Sequence, residues 1–246
     1  MKYSFVRILM LLTLCSCSKT VRDQTSPSET KEIAEMRSRL EQFDKGLLPL
    51  SDVSEDADFA RNLLLYYSAH SNDMTLKMKL PVSRVLAMSG QFKPAIELAS
   101  EYIQVYSNDW RGWRILGGAN VMLHDFPAAL HAYTNATRLG DTASYSQLSG
   151  VAMALDRLDI LRENLPRLLE LKKNSTEDVI PLDIVEFLVF YSIKTENPKI
   201  FVQALDGVKA EDIQSRKDLT EIVKKGCEQF QAKETDNLCR ALKEHD

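Results

Sequence analysis

Residues recur at an interval of about 34 along the middle of this chain, and a chain that repeats at that interval stacks small units instead of closing around one central core. Gly90-Gln91-Phe92-Lys93-Pro94-Ala95 is echoed by His124-Asp125-Phe126-Pro127-Ala128-Ala129, so that Phe92 and Phe126, and Ala95 and Ala129, stand 34 positions apart. In both segments a Pro falls in the first turn of the coming helix, where its missing N–H leaves no bond unmade. Ser71-Asn72-Asp73 is echoed by Ser107-Asn108-Asp109, and Tyr66 by Tyr102, at an offset of 36. Each Ser-Asn-Asp offers side-chain oxygens to cap the helix that follows it.

Over residues 110–143 the pattern resembles the tetratricopeptide repeat. Trp113, Leu116 and Gly117, then Ala129, Tyr133 and Ala136, stand at that family's spacings W-x2-L-G and A-x3-F/Y-x2-A. The resemblance implies a helical hairpin in which small Gly117 and Ala129 let helix A and helix B approach, while Trp113, Leu116, Tyr133 and Ala136 fill the space around them. Asn120 stands where a Tyr is usual, and Asp141 where the family closes with Pro. The best repeats are 76–109, 110–143 and 144–175. In the first, Pro81 falls within helix A, which must begin there or kink. In the third, Tyr145, Leu148, Ser149, Ala152, Leu161, Leu165 and Leu168 follow their counterparts at 32.

Helical periodicity continues outside these units. Ile33, Met36, Leu40 and Phe43 form one apolar stripe closed by Gly46, and Ala60, Leu63, Leu64 and Tyr67 form the next. Further patterns cover 182–193, 200–205 after Pro198, 219–230 and 238–242. With only 9 Gly and 8 Pro in 246 residues, turn-rich β architectures are disfavoured. The expectation is an all-α, tetratricopeptide-like solenoid over 31–246 with about six helix pairs. An unrelated helical bundle is the alternative.

Chemistry is sparse. A formal charge of −4 offers no basic field for nucleic acid. No HExxH, GxSxG, GxGxxG or Walker loop occurs, so no catalytic residue, metal or cofactor is expected. His124 and His131, with Asp125 near, read as loop or helix-end histidines, since two His and one carboxylate are too few for a metal site.

The resemblance implies a concave surface lined by helix A residues. Its groove-facing places fall on Arg111, Arg114, Gly118, Val121 and Met122; in the preceding unit on Lys77, Leu80, Arg84, Ala87 and Met88; in the following one on Ala143, Ser146, Gly150, Met153 and Ala154. The groove then has a basic end (Arg84, Arg111, Arg114) and a Met-rich floor (Met88, Met122, Met153). Arginine forks suit a carboxylate, and methionines adapt to apolar side chains, so an acidic or carboxylate-bearing segment of a protein partner fits this surface. A solvated Arg face over core methionines is the other reading.

The amino terminus reads MKYSFVRILMLLTLCSC: Lys2 and Arg7 flank an uncharged run, Ile8 to Leu14, too short to span a bilayer but suited to a secretory signal. Leu14-Cys15-Ser16-Cys17 resembles the lipobox of bacterial lipoproteins, with Cys17 as acceptor because small Ser16 precedes it. The resemblance implies a signal peptide over 1–16, a lipidated Cys17, and a Ser/Thr-rich tether over 17–30 too apolar-poor to fold. Ser18, where Asp would retain the protein at the inner membrane, points to the periplasmic face of the outer membrane. Cleavage removes Lys2 and Arg7 and no acid, taking the formal charge from −4 to −6.

Export would leave Cys227 and Cys239 in an oxidising space, either bridged across a helix hairpin or as two buried thiols. Two functions follow: a scaffold or adaptor in envelope assembly, such as outer-membrane protein insertion or a secretion or pilus apparatus; or a periplasmic enzyme or subunit, for example acting on peptidoglycan, with a solenoid body. Replacing Cys17 by Ala is expected to move the protein from the membrane to the soluble periplasmic fraction on cell fractionation. Unchanged partitioning would contradict the lipid anchor.

Overall fold

The computed structural model describes residues 31–45, 57–175, 181–231 and 235–243, among which there are thirteen α-helices and no strand. The signal segment 1–16, the tether 17–30 and Gly46 lie outside the described residues. Helices α1 (Lys31–Asp44) and α2 (Ala57–His70) form a first pair. Four A–B pairs follow: α3 (Lys79–Met88) with α4 (Phe92–Val105), α5 (Trp110–Met122) with α6 (Phe126–Arg138), α7 (Ser144–Ala154) with α8 (Leu158–Lys173), and α9 (Leu182–Lys194) with α10 (Pro198–Leu205). A short α11 (Ala210–Gln214), which the periodicity did not reveal, precedes the last pair, α12 (Lys217–Phe230) and α13 (Asp236–Lys243). Within the stack each helix packs on the next, and A helices also touch: α3 on α5, α7 on α9, α9 on α12. Sequential plus alternate neighbours define a solenoid of helical hairpins.

The A-to-B turns are built alike. Gly90, His124, Asp156 and Glu196 each stand two residues past a helix A in the left-handed conformation, with φ of 79°, 60°, 53° and 52°. The next N–H then reaches back five residues: Gln91 to the carbonyl of Leu86, Asp125 to Asn120, Arg157 to Ala152 and Asn197 to Ser192, at 2.8 or 2.9 Å. These bonds satisfy helix A's last carbonyls and reverse the chain. Asp125 and Asn197 cap helix B at once, accepting from the N–H groups of Ala128 (3.1 Å) and Ile200 (3.3 Å). The turn intervals are 34, 32 and 40 residues, so α9–α10 is a fourth copy that side-chain identity conceals.

Gly117 shows why helix A needs a small residue against helix B. A Cβ there would lie 2.6 Å from Cε1 of Tyr133, a buried ring. Ala129, fully buried, completes the close approach. Trp113 lies nearer the edge, half-buried, its Nε1 donating to the Ser107 carbonyl at 2.9 Å and its ring edge-on to His131 at 5.6 Å. The departures are absorbed locally. Asn120 donates to the Leu116 carbonyl at 2.9 Å, and buried Asp141 accepts from Ser144 Oγ at 2.5 Å near the start of α7.

The first unit departs from its expected start. Ser71–Asp73 forms a single 3-10 turn, and α3 begins only at Lys79, with Met78 at its cap position. Pro81 is the reason: it is tolerated in a helix's first turn, and the helix starts where Pro81 is its third residue. Thr75 Oγ1 accepts the Met78 N–H at 3.3 Å instead. In the second copy Asp109 does cap, accepting from the Arg111 N–H at 3.0 Å.

The core runs along the stack. One cluster joins Met36, Leu40, Phe43 and Leu63 to Leu86 and Tyr102; another runs from Ala152 through Leu188 and Phe201 to Leu242; smaller ones around Leu116 and Tyr133 lie between them. At the far end Cys227 and Cys239 are bonded, with Cα atoms 5.8 Å apart, tying α13 to α12. Closing a loop of this size contributes about 3 kcal/mol in the chain-entropy account.

Two substitutions test this architecture by chemical denaturation. Gly117→Ala is expected to cost about 1–3 kcal/mol through overpacking against Tyr133, whereas His124→Gly is expected to gain about 0.5–1 kcal/mol by relieving a left-handed residue. A neutral Gly117→Ala, or a destabilising His124→Gly, would contradict it.

Candidate functional site

Counting back from the four left-handed residues aligns the A helices. Two places before them stand Met88, Met122, Ala154 and Lys194; six places before, Arg84, Gly118, Gly150 and Phe190; ten places before, Leu80, Arg114, Ser146 and Glu186. Steps of four on a helix lie on one face, so these rows form stripes across the stack. Met88 and Met122 are exposed, unlike core methionines, and Leu123 beside Met122 is exposed too. Met153 occupies Val121's place and is half-buried.

One residue assigned to the groove from sequence is closed off, and a second lies against a neighbouring helix. Leu80 is fully buried beneath the first turn of α3. Gly150 faces the neighbouring A helix: its Cβ would sit 3.5 Å from Cζ of Phe187. The exposed methionines of the face belong to α3 and α5.

The three arginines differ. Arg111 is bound by its own chain: Nε lies 2.9 and 3.1 Å from the two Asp109 carboxylate oxygens, and Nη2 donates to Oδ2 at 2.6 Å. Tyr102 OH donates to the same oxygen at 2.6 Å. Burial works against the Asp109 charge, but the bonds from Arg111 and Tyr102 prevail and hold its carboxyl below the ordinary range. The Asp109 bond, opposed by burial, raises Arg111 further. Burial first, then the Asp109 bond, push the Tyr102 phenol far up. Arg111 thus fastens the start of α5 to α4 through the Nε and Nη2 edge of its fork, while its side chain stays 36% exposed.

Arg114 is held but not filled. Its guanidinium carbon lies 4.5 Å from the Trp110 ring centroid, and Nη1 reaches Asp141 Oδ1 at a long 3.3 Å. Behind it, burial, opposed by the Arg114 charge, pushes the Tyr133 phenol up to about 12. Arg84 is half-buried and has no ion-pair partner among the described residues. The donors offered outward are those of Arg84 and Arg114.

At the fourth unit the face turns acidic and is capped from within. Arg216, at the start of α12, donates to Asp183 at 2.6 Å and to Glu186, and approaches Asp218 at 3.4 Å. Burial raises the Glu186 carboxyl despite Arg216.

Sequence reasoning missed Trp110 and Asp141, which orient Arg114. Gly140-Asp141, with Ser144 three residues on, is the sequence signal that marks the start of α7. His124 packs near Phe126, with centroids 5.9 Å apart, and lies in a turn. Cys17 lies outside the described residues. Among the described residues no group of three or more His, Cys, Asp or Glu could hold a metal ion, and no helix is long and apolar enough to cross a membrane.

No protein-family model matches the chain, and no curated protein matches it in sequence. Two crystal structures of MamA resemble it. One has a TM-score of 0.51 at 18% identity over 75% of this chain and 97% of that one. The other has a TM-score of 0.48 at 16% identity over 71% and 95%. At such identity the first likeness shows the fold: this chain is an all-α, tetratricopeptide-like solenoid.

Proposed function

We propose that this protein is a non-enzymatic scaffold that holds a segment of a partner polypeptide across the A-helix face of α3 and α5. One observation carries the reading: Met88 and Met122 occupy the same place in successive repeats and both stand in solvent, on helices that also carry Arg84 and Arg114. Single exposed hydrophobes are ordinary on a surface. A pair repeated in register on one face is a surface feature with a direction. Covering each methionine adds about 1 kcal/mol to binding, and a carboxylate placed between Arg84 and Arg114 would gain charge-assisted bonds at both. The partner segment is thus acidic with apolar side chains at intervals.

The amino-terminal signal supports a location for this work. A lipidated Cys17 would tether the solenoid to the periplasmic face of an outer membrane, where scaffolds serve protein insertion, secretion or pilus assembly.

The test places a photo-crosslinking residue at Val121 in the membrane-bound full chain. Crosslinks to one partner are expected, and Arg84→Glu with Arg114→Glu should reduce them about tenfold or more, the loss of roughly one charge-assisted contact, with helical circular dichroism unchanged. Arg84→Gln with Arg114→Gln replaces that pair if the Glu variant loses helicity. Crosslinking that survives the charge change would refute the face.

A further inference from the structure

We propose that Met88 and Met122 form a paired oxidation site through which a peroxide-class oxidant weakens the hold on the partner. The six methionines of the described residues divide sharply. Met88 and Met122 are each 56% exposed, whereas Met36, Met74 and Met78 are 1%, 7% and 9% exposed. Met153 is half-buried. The exposed pair shares one repeat position at the last turn of helix A, while the buried three belong to the N-terminal core cluster.

The chemistry needs only an accessible sulfur. The thioether attacks one oxygen of hydrogen peroxide; the O–O bond breaks, an S–O bond forms, the sulfur loses two electrons, and the other oxygen takes up the proton of the first and leaves as water. Each apolar, flexible side chain becomes polar and chiral. In the core this would disrupt packing. At positions 88 and 122 more than half of each residue stands in solvent, so oxidation leaves the solenoid folded and changes its outward face. Two sulfoxides in register would remove the apolar contact of both units at once. Reduction by a methionine sulfoxide reductase would restore it. The effect on binding rests on the A-helix face proposed above; the selectivity of oxidation does not.

The test treats the purified full chain with hydrogen peroxide and maps sulfoxides by peptide mass spectrometry over time. Met88 and Met122 are expected to oxidise about tenfold faster than Met36, Met74 and Met78, with circular dichroism unchanged, because access to the sulfur sets the rate. Equal rates, or loss of helicity at the same dose, would overturn the site. In cells, peroxide should reduce crosslinking from Val121 several-fold in the native chain and leave it unchanged in Met88→Leu with Met122→Leu. Equal reduction in both, or in neither, would overturn the link to binding. If crosslinking ignores the Arg84 and Arg114 substitutions while the pair still oxidises selectively, the face is wrong and the oxidation site stands.

Discussion

The repeated left-handed turn between helix A and helix B is what the rest of this molecule depends on. It ends one helix, satisfies its last carbonyls and starts the next within three residues, so successive pairs enter the stack in the same orientation. His124, Asp156 and Glu196 hold this conformation without the freedom of glycine. That strain, of about 1 kcal/mol per residue, is offset by bonds such as Asp125 N–H to the Asn120 carbonyl and by the packing of Tyr133 on Gly117. Because the turn fixes where each helix A stops, it also fixes which side chains share a face.

That face is organised by internal carboxylates. Asp109 and Asp141 stand in the two B-to-A connections flanking the α5–α6 pair, and each draws one arginine. The bond to Arg111 is short, forked and joined by a tyrosine, so it serves the joint between α4 and α5. The bond to Arg114 is long and single, and Trp110 fixes the guanidinium from its flat side. At the other end Arg216 fills the acidic positions of α9 from inside the chain. A surface arranged in this way carries Arg84, Arg114 and two exposed methionines over α3 and α5, and acids bonded to Arg216 over α9.

Much of this was legible in the sequence. The 34-residue echo and the spacing of Trp113, Leu116, Gly117, Ala129, Tyr133 and Ala136 carry the hairpin fold, because helix-to-helix distance depends on small residues at fixed places. A bridge between Cys227 and Cys239 was one of the two readings open to the sequence, and the structure holds the pair bonded. Other features were hidden for physical reasons. Asp156 and Glu196 do the work of Gly90, so no glycine marked the third and fourth turns. Pro81 moved the start of α3 away from Ser71-Asn72-Asp73. The role of Arg111 depended on Tyr102, whose contact with Asp109 no one-dimensional pattern contains, and the burial of Leu80 depended on neighbouring helices.

Hydrogen exchange on the full chain, alone and in complex with the polypeptide captured at Val121, addresses the central claim directly. The account predicts that binding slows amide exchange in α3 and α5 and in the turns at Gly90 and His124, with α4 and α6 unchanged. Slowing confined to α4 and α6, with α3 and α5 as before, would contradict it.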